Sequence, residues 1–323
     1  MNEKLLEYLS NSFLKDYLSD ENITDISYNG KYFFALDNRY GRKKLDLDIS
    51  QEEVISFIRQ IANLSEKSFS YSEPILDVFC SRFRINAVHS VITKYLDEKV
   101  VSFSIRIASI TNRILTDDSF FDETSKNIIL KMLKNHESII IGGLTGVGKT
   151  EFQKYLLLNL EENCRVIVID NIQELDNIHN LANIDLTCWS ISSSFENRSF
   201  ATLIKNALRS NPDYLIIAES RDKEMKDVMV SLSSGHPLIT TIHVDDVRKM
   251  RNRLARMVMQ YSQNQDYKDI LEEINYSIKN YILLKREILP NKEVKRFVSQ
   301  IAIYNEKTQN LDVVYERKNY EKI

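Results

Sequence analysis

At 323 residues the chain is about twice the common domain size of ~100–150 residues, so two domains are expected rather than one. Apolar residues at 43% and charged residues at 28% exclude a disordered chain; no run nears the ~20 apolar residues of a membrane span, and Met1-Asn2-Glu3-Lys4 lacks the basic start of a secretory signal. A net charge of −3 removes any general attraction to nucleic acid or anionic lipid, so no direct nucleic-acid binding is expected and a polyanion partner must be argued from a site.

Taken in chain order, the first 18 residues carry Leu5, Leu9, Leu14 and Leu18 in a helical stripe, which predicts one amphipathic opening helix. Residues 23–36 alternate around Asn29-Gly30, a hairpin signal because both positions tolerate positive φ. Ser50-Gln51-Glu52-Glu53 predicts a capping box before an apolar helical run. Strand-like runs follow at 75–80, 83–92 and 99–107. Together these make an α+β N-terminal domain over residues 1–112, with 113–120 as a linker. Cys80, Cys164 and Cys188 are scattered, which fits neither a disulfide framework nor a zinc site.

Over 121–323 strand and helix alternate, the signature of a parallel sheet with crossover helices. Apolar strand runs at 139–141, 166–169, 214–218 and 238–242 set its core, and the last 48 residues read as a β appendix. That stretch holds ten Lys/Arg against six Asp/Glu with interleaved signs, which is read as a solvated β surface. Only seven glycines occur, yet Gly142, Gly143, Gly146 and Gly148 fall within seven residues.

Gly143-Leu144-Thr145-Gly146-Val147-Gly148-Lys149-Thr150 is a complete G-x-x-x-x-G-K-[ST] between an apolar strand and a helical run. Such a loop turns successive N–H groups toward phosphate oxygens at a helix N-terminus, which makes ATP with Mg²⁺ the expected cofactors. Lys149 is placed to reach the β- and γ-phosphates, and Thr150 to hold Mg²⁺. Ligands of doubly wound sheets sit beyond the strand carboxyl ends, where the runs finish at Asp170, Glu219 and His243, with Glu174 four residues past the first. Glu219 and Glu174 are the two candidates for polarising a water, unranked by sequence, and Glu219 is also a candidate for Mg²⁺ through water. Ala218 stands where an Asp is usual before that glutamate.

Residues 142–150, Val168-Ile169-Asp170 through Glu174-Leu175, Leu208-Arg209-Ser210-Asn211-Pro212-Asp213, Ala218-Glu219-Ser220-Arg221 and Ser234-Gly235-His236 through Thr241-Ile242-His243 resemble five boxes of the secretion traffic ATPases. These are the Walker A, Asp, arginine-Pro-Asp, Walker B and His boxes, in the family's order and spacing. The likeness extends to Pro74-Ile75-Leu76-Asp77, Phe83-Arg84-Ile85-Asn86 and Ser104-Ile105-Arg106-Ile107, which with the lack of a tetracysteine element favours the VirB-type or Tad-type branch.

The resemblance implies a RecA-like P-loop ATPase domain behind the smaller N-terminal domain. It further implies a homo-hexamer, cytoplasmic and peripheral to the inner face of the cell membrane, working with inner-membrane components of a secretion or pilus apparatus. It assigns Arg84 and Arg106 to the γ-phosphate and His236 and His243 to coupling with the next subunit. It also sets Glu151, Arg209 and Arg221 beside the phosphate loop residues as nucleotide contacts. Glu151 departs from the family's second threonine, and Asp170 from its glutamate. A nucleotide-gated assembly factor, a small-molecule kinase and a helicase are the competing readings.

Overall fold

The apolar stripe that opens the chain is split in the computed structural model into α1 (Asn2–Ser10) and α2 (Lys15–Ser19). Ser12 is the reason: its hydroxyl donates to the Leu9 carbonyl and accepts from the Leu14 amide, while Asn11 donates its side-chain amide to the Glu7 carbonyl. Short polar side chains that bond the local backbone compete with the helical ladder. Leu5, Leu9, Leu14 and Leu18 are nonetheless all buried. The structure describes residues 2–170, 175, 183–190, 199–219, 224–262 and 266–320.

The chain divides into two units. The first, Met1–Thr111 with Ile288–Val294, continues with β1 (Ile23–Tyr28), β2 (Phe33–Asp37), β3 (Gly41–Lys44), α3 (Gln51–Leu64), β4 (Ile75–Cys80), β5 (Phe83–Val88), β6 (Lys94–Tyr95), β7 (Glu98–Lys99) and β8 (Ser102–Ile107). Six of these strands form an antiparallel sheet in the order β3-β2-β1-β8-β5-β4. The predicted capping box starts α3, with the Ser50 hydroxyl accepting from the Glu53 amide and the Glu53 carboxylate from the Ser50 amide. The hairpin between β1 and β2 forms, but only Gly30 takes a positive φ, and the Asn29 side-chain oxygen Oδ1 instead accepts from the amides of Lys31 and Tyr32.

The second unit, Asn112–Glu287 with Lys295–Ile323, runs α4 (Glu123–Lys134), β9 (Ile139–Gly142), α5 (Lys149–Leu158), β10 (Arg165–Ile169), β11 (Asp185–Trp189), α6 (Phe200–Arg209), β12 (Tyr214–Ile217), α7 (Met225–Ser233), β13 (Leu238–Ile242), α8 (Met250–Met259), α9 (Tyr267–Ser277), β14 (Asn280–Ile288), β15 (Val294–Asn305) and β16 (Asn310–Glu316). Among the described residues its strands make one sheet of eight, ordered β11-β10-β12-β13-β9-β14-β15-β16. Neighbours from β11 through β14 are parallel, and β15 with β16 is antiparallel.

Alternation along each strand builds a core on both faces. Ile139, Ile141, Val166, Val168, Tyr214 and Ile216 pack with Phe152 and Leu156 of α5 and Met132 of α4. Ile140, Ile167, Leu215 and Ile217 pack with residues of α6 to α9 such as Ile204, Val228, Leu254 and Ile270. At about 1.5–3 kcal/mol for each fully buried aliphatic side chain, these two layers hold the sheet.

The last strands correct the expectation of an appendix. Tyr281, Ile282, Leu283 and Leu284 are buried in succession, which suits a strand covered on both faces, and β14 lies parallel beside β9 with Leu283 opposite Gly142. Because β9 has four residues and β14 nine, β14 continues past the end of β9, alongside the chain that leaves Gly142.

Candidate functional site

The chain leaves Gly142 as the glycine loop, which departs from the carboxyl end of a central strand and enters α5. Gly148 is the N-cap of α5 with φ of +92°, and Gly146 takes φ of +77°, both in the left-handed region that side chains resist. Thr150 sits in the first turn of α5, where N–H groups are unpaired within the helix. Gln153 ties α5 to the end of β12, its side-chain amide donating to the Ile217 carbonyl at 3.0 Å.

Lys149 turns back over the loop: its Nζ donates to the Gly143 carbonyl at 2.9 Å and the Leu144 carbonyl at 3.1 Å, and lies 3.4 Å from Nδ1 of His243. Burial pushes its ammonium down to about 8, against the pull of Glu219. Glu219 Oε1 is 2.9 Å from Nε2 of His243. The tautomer protonated at Nε2 satisfies both contacts, donating to the carboxylate and accepting from the lysine. Glu219, His243 and Lys149 therefore converge from the ends of β12 and β13 and the start of α5. Behind them the Thr241 hydroxyl donates to the Ala218 carbonyl at 2.8 Å, fixing the backbone just before Glu219.

The loop fits a polyphosphate, because Lys149 directs its protons to backbone carbonyls that phosphate oxygens would replace. Among the described residues no three His, Cys, Asp or Glu side chains cluster as a metal site. Mg²⁺ keeps most of its waters, and Thr150 and, through water, Glu219 are the residues that would hold it. Asp170 is buried, with a carboxylate oxygen accepting from the Leu175 amide at 3.0 Å. Glu174 and Arg221 lie outside the described residues.

Arg209 and His236 stand at the other end of the sheet, and the Glu151 carboxylate has partners within its own chain. Arg209 ends α6, a crossover helix that runs back to the amino end of β12. It lines an open groove with Arg165, Asp185 and Trp189, and the neighbouring Ser210 carbonyl accepts from Arg165, the first residue of β10. His236 precedes β13, its Nδ1 2.9 Å from the Ser234 hydroxyl, next to Pro237, whose carbonyl accepts from Leu215 at the start of β12. Since a strand rises ~3.3 Å per residue, His236 and His243 are separated by roughly the full strand, about 20 Å. α7 thus carries His236 away from the loop of its own chain. Glu151 is committed in another direction: one carboxylate oxygen accepts from the Arg113 amide and the other from the buried Lys154, both at 3.1 Å.

In the first unit, Arg84 and Arg106 are directly opposite one another on β5 and β8. Arg84 pairs with Asp77 at 3.3 Å and Arg106 with Asp25 at 3.5 Å. Cations missed by sequence reasoning stand at the loop itself. Arg296 Nε donates to the Gly146 carbonyl at 2.8 Å, and a Cβ on Gly146 would meet an Arg286 nitrogen at 3.0 Å. Both belong to the stretch read as a solvated surface, and nothing in its charge pattern singled them out.

Fold and loop define a class first: an α/β protein whose parallel sheet presents a glycine-rich loop and helix N-terminus at its strand carboxyl ends. Within that class, the chain belongs to the family described as type II/IV secretion system protein, whose model matches residues 82–311. It is 27% identical over 308 residues to an uncharacterized protein of Bacillus anthracis, covering 92% of this chain and 68% of that one. It is likewise 27% identical over 218 residues to an uncharacterized protein of Methanocaldococcus jannaschii, 65% of this chain but 39% of that protein. The type IV secretion system protein VirB11 of Brucella suis is 24% identical over 301 residues, 84% of this chain and 82% of VirB11. Among solved structures, the ATPase DotB of Legionella pneumophila shares the fold with a TM-score of 0.67 at 18% identity, covering 95% of this chain and 81% of DotB. The pilus retraction motor PilT with bound ADP does so at 0.61 and 15%, covering 96% and 84%.

Proposed function

We propose that this protein is a Mg²⁺-dependent ATP hydrolase acting as a homo-hexameric motor of a conjugation-like type IV secretion apparatus. The observation that carries the reading is the convergence of Lys149, His243 and Glu219 at the mouth of the phosphate loop, in a chain of a secretion family. Glu219 serves as the base that polarises water, His243 holds it and answers to the terminal phosphate, and Thr150 and Lys149 hold metal and phosphates. Arg84 and Arg106 belong to the proposal as the arginines that answer to the γ-phosphate, a task suited to the planar guanidinium. Bound Mg²⁺ would neutralise charge on the transferring phosphoryl group. Inner-membrane components of the apparatus are the proposed partners at the cytoplasmic face; among the described residues no helix is long and apolar enough to cross a membrane.

The test is ATP turnover with Mg²⁺ across a range of protein concentrations, with Lys149→Ala as blank. Specific activity rising steeply with concentration and vanishing in the blank supports a motor with shared sites; turnover at blank level throughout overturns it. A pilus assembly or retraction motor uses the same chemistry and differs in its cargo. A nucleotide-gated assembly factor with little hydrolysis is the second reading, favoured by Ala218: the position before Glu219 brings no carboxylate, and its carbonyl is held by Thr241.

A further inference from the structure

The longer end of β14 and the start of β15 set two arginines against the outside of the phosphate loop. The stem of Arg296 lies along it, its Cδ 3.6 Å from where a Gly148 Cβ would stand, while its Nε–H reaches the Gly146 carbonyl at 2.8 Å. The peptide joining Gly146 to Val147 is planar and trans, so a carbonyl drawn toward Arg296 turns the Val147 N–H the opposite way. That N–H is one of the loop donors meant for phosphate oxygens. Arg286 approaches Gly146 from β14, its Nη1 3.0 Å from where a Cβ would be.

We propose that Arg296 is a positioning residue for the phosphate loop, and that with Arg286 it forms a cationic buttress selecting a polyphosphate ligand. The inference rests on the proposed nucleotide site and assigns part of that site to the carboxy-terminal strands. The energetics agree with the geometry. Burial first, then Arg286 and Arg113, push the Arg296 guanidinium down to about 10, with Asp117 opposing them. Cations gathered closely enough to repel cost stability in the empty protein, and a bound polyanion relieves that cost. Sequence spacing concealed the arrangement because Arg286 and Arg296 come from two strands and the loop they meet lies far from both in the chain.

Titration calorimetry of the full chain with ADP and with inorganic tripolyphosphate, at two salt concentrations, tests the proposal. Arg296→Ala is expected to weaken both ligands by roughly ten- to a hundredfold, the range for one hydrogen bond from a charged donor. Arg286→Gln, an exposed change that spares the fold, is expected to weaken both by about threefold and to flatten the salt dependence. Arg296→Lys keeps the charge but loses the Nε–H at that place. It should recover the salt dependence without the full affinity, and complete recovery would remove the positioning role. If Arg296→Ala and Arg286→Gln bind both ligands as the wild type does, the buttress is overturned while the nucleotide reading stands. If the wild type binds neither ligand, the nucleotide reading falls and the buttress with it.

Discussion

Lys149 is the residue whose environment most directly forecasts a measurement. In the free protein its ammonium titrates near 8, below the usual 10.5, because burial disfavours the charged form. A polyphosphate beside it favours that form and raises the value again. Between about pH 8 and 10 the complex therefore holds more protons than the free protein, and affinity must fall as pH rises. ADP binding is expected to weaken by up to about tenfold per unit across that window, with proton uptake visible in buffers of different ionisation enthalpy. Lys149→Ala should lose both signatures; a wild-type affinity flat from about pH 7.5 to about 9.5 would show that the lysine does not face the ligand. The motif that identified Lys149 was legible because eight consecutive residues carry it. The partners of Lys149 were less so: Glu219 and His243 were named from strand ends, but only folding set 2.9 Å between them.

At the level of elements, the first turn of α5 is fastened to the segment that opens the second unit. The Asn112 side-chain amide donates to the Glu151 backbone carbonyl at 2.8 Å, and the Arg113 amide to its carboxylate. The same carboxylate meets Lys154, which is almost wholly buried. Glu151→Ala removes acceptors for a backbone amide and a buried ammonium, at a cost of about 2 kcal/mol. A fall of roughly 4–8 °C in the melting midpoint is expected, and an unchanged midpoint would show the contacts to be slack. The carboxylate of Glu151 has partners that its place in the motif did not show. A motif specifies which backbone amides surround a phosphate, but the direction of a long side chain depends on what packs nearby. The opening helix shows the same limit, since its apolar stripe is intact while Ser12 divides it.

Over the whole molecule, the sheet separates two sets of residues that the motif order had grouped. Lys149, Glu219 and His243 gather at the carboxyl ends of the strands, Arg209 and His236 at the amino ends. In the proposed hexamer, Arg209 and His236 would act on the nucleotide of another copy of the chain. Arg209→Ala is expected to leave ADP affinity of the dilute protein within about twofold, and to reduce the rise of turnover with protein concentration. A large loss of affinity at high dilution would place Arg209 at the loop of its own chain.

The amino-acid sequence by itself determined the class of the second unit, the phosphate loop and its lysine, and the alternation of strands and helices. Each of these is written in contiguous residues, as a motif or as a local period. Tertiary structure alone decided that β14 joins β9 and carries Arg286 and Arg296 to the loop. It alone also decided that the Glu151 carboxylate meets the Arg113 amide and Lys154 and that the two histidines part company along β13. These depend on strand order and helix direction, which follow from how buried faces pair across the sheet and leave no trace in spacing along the chain.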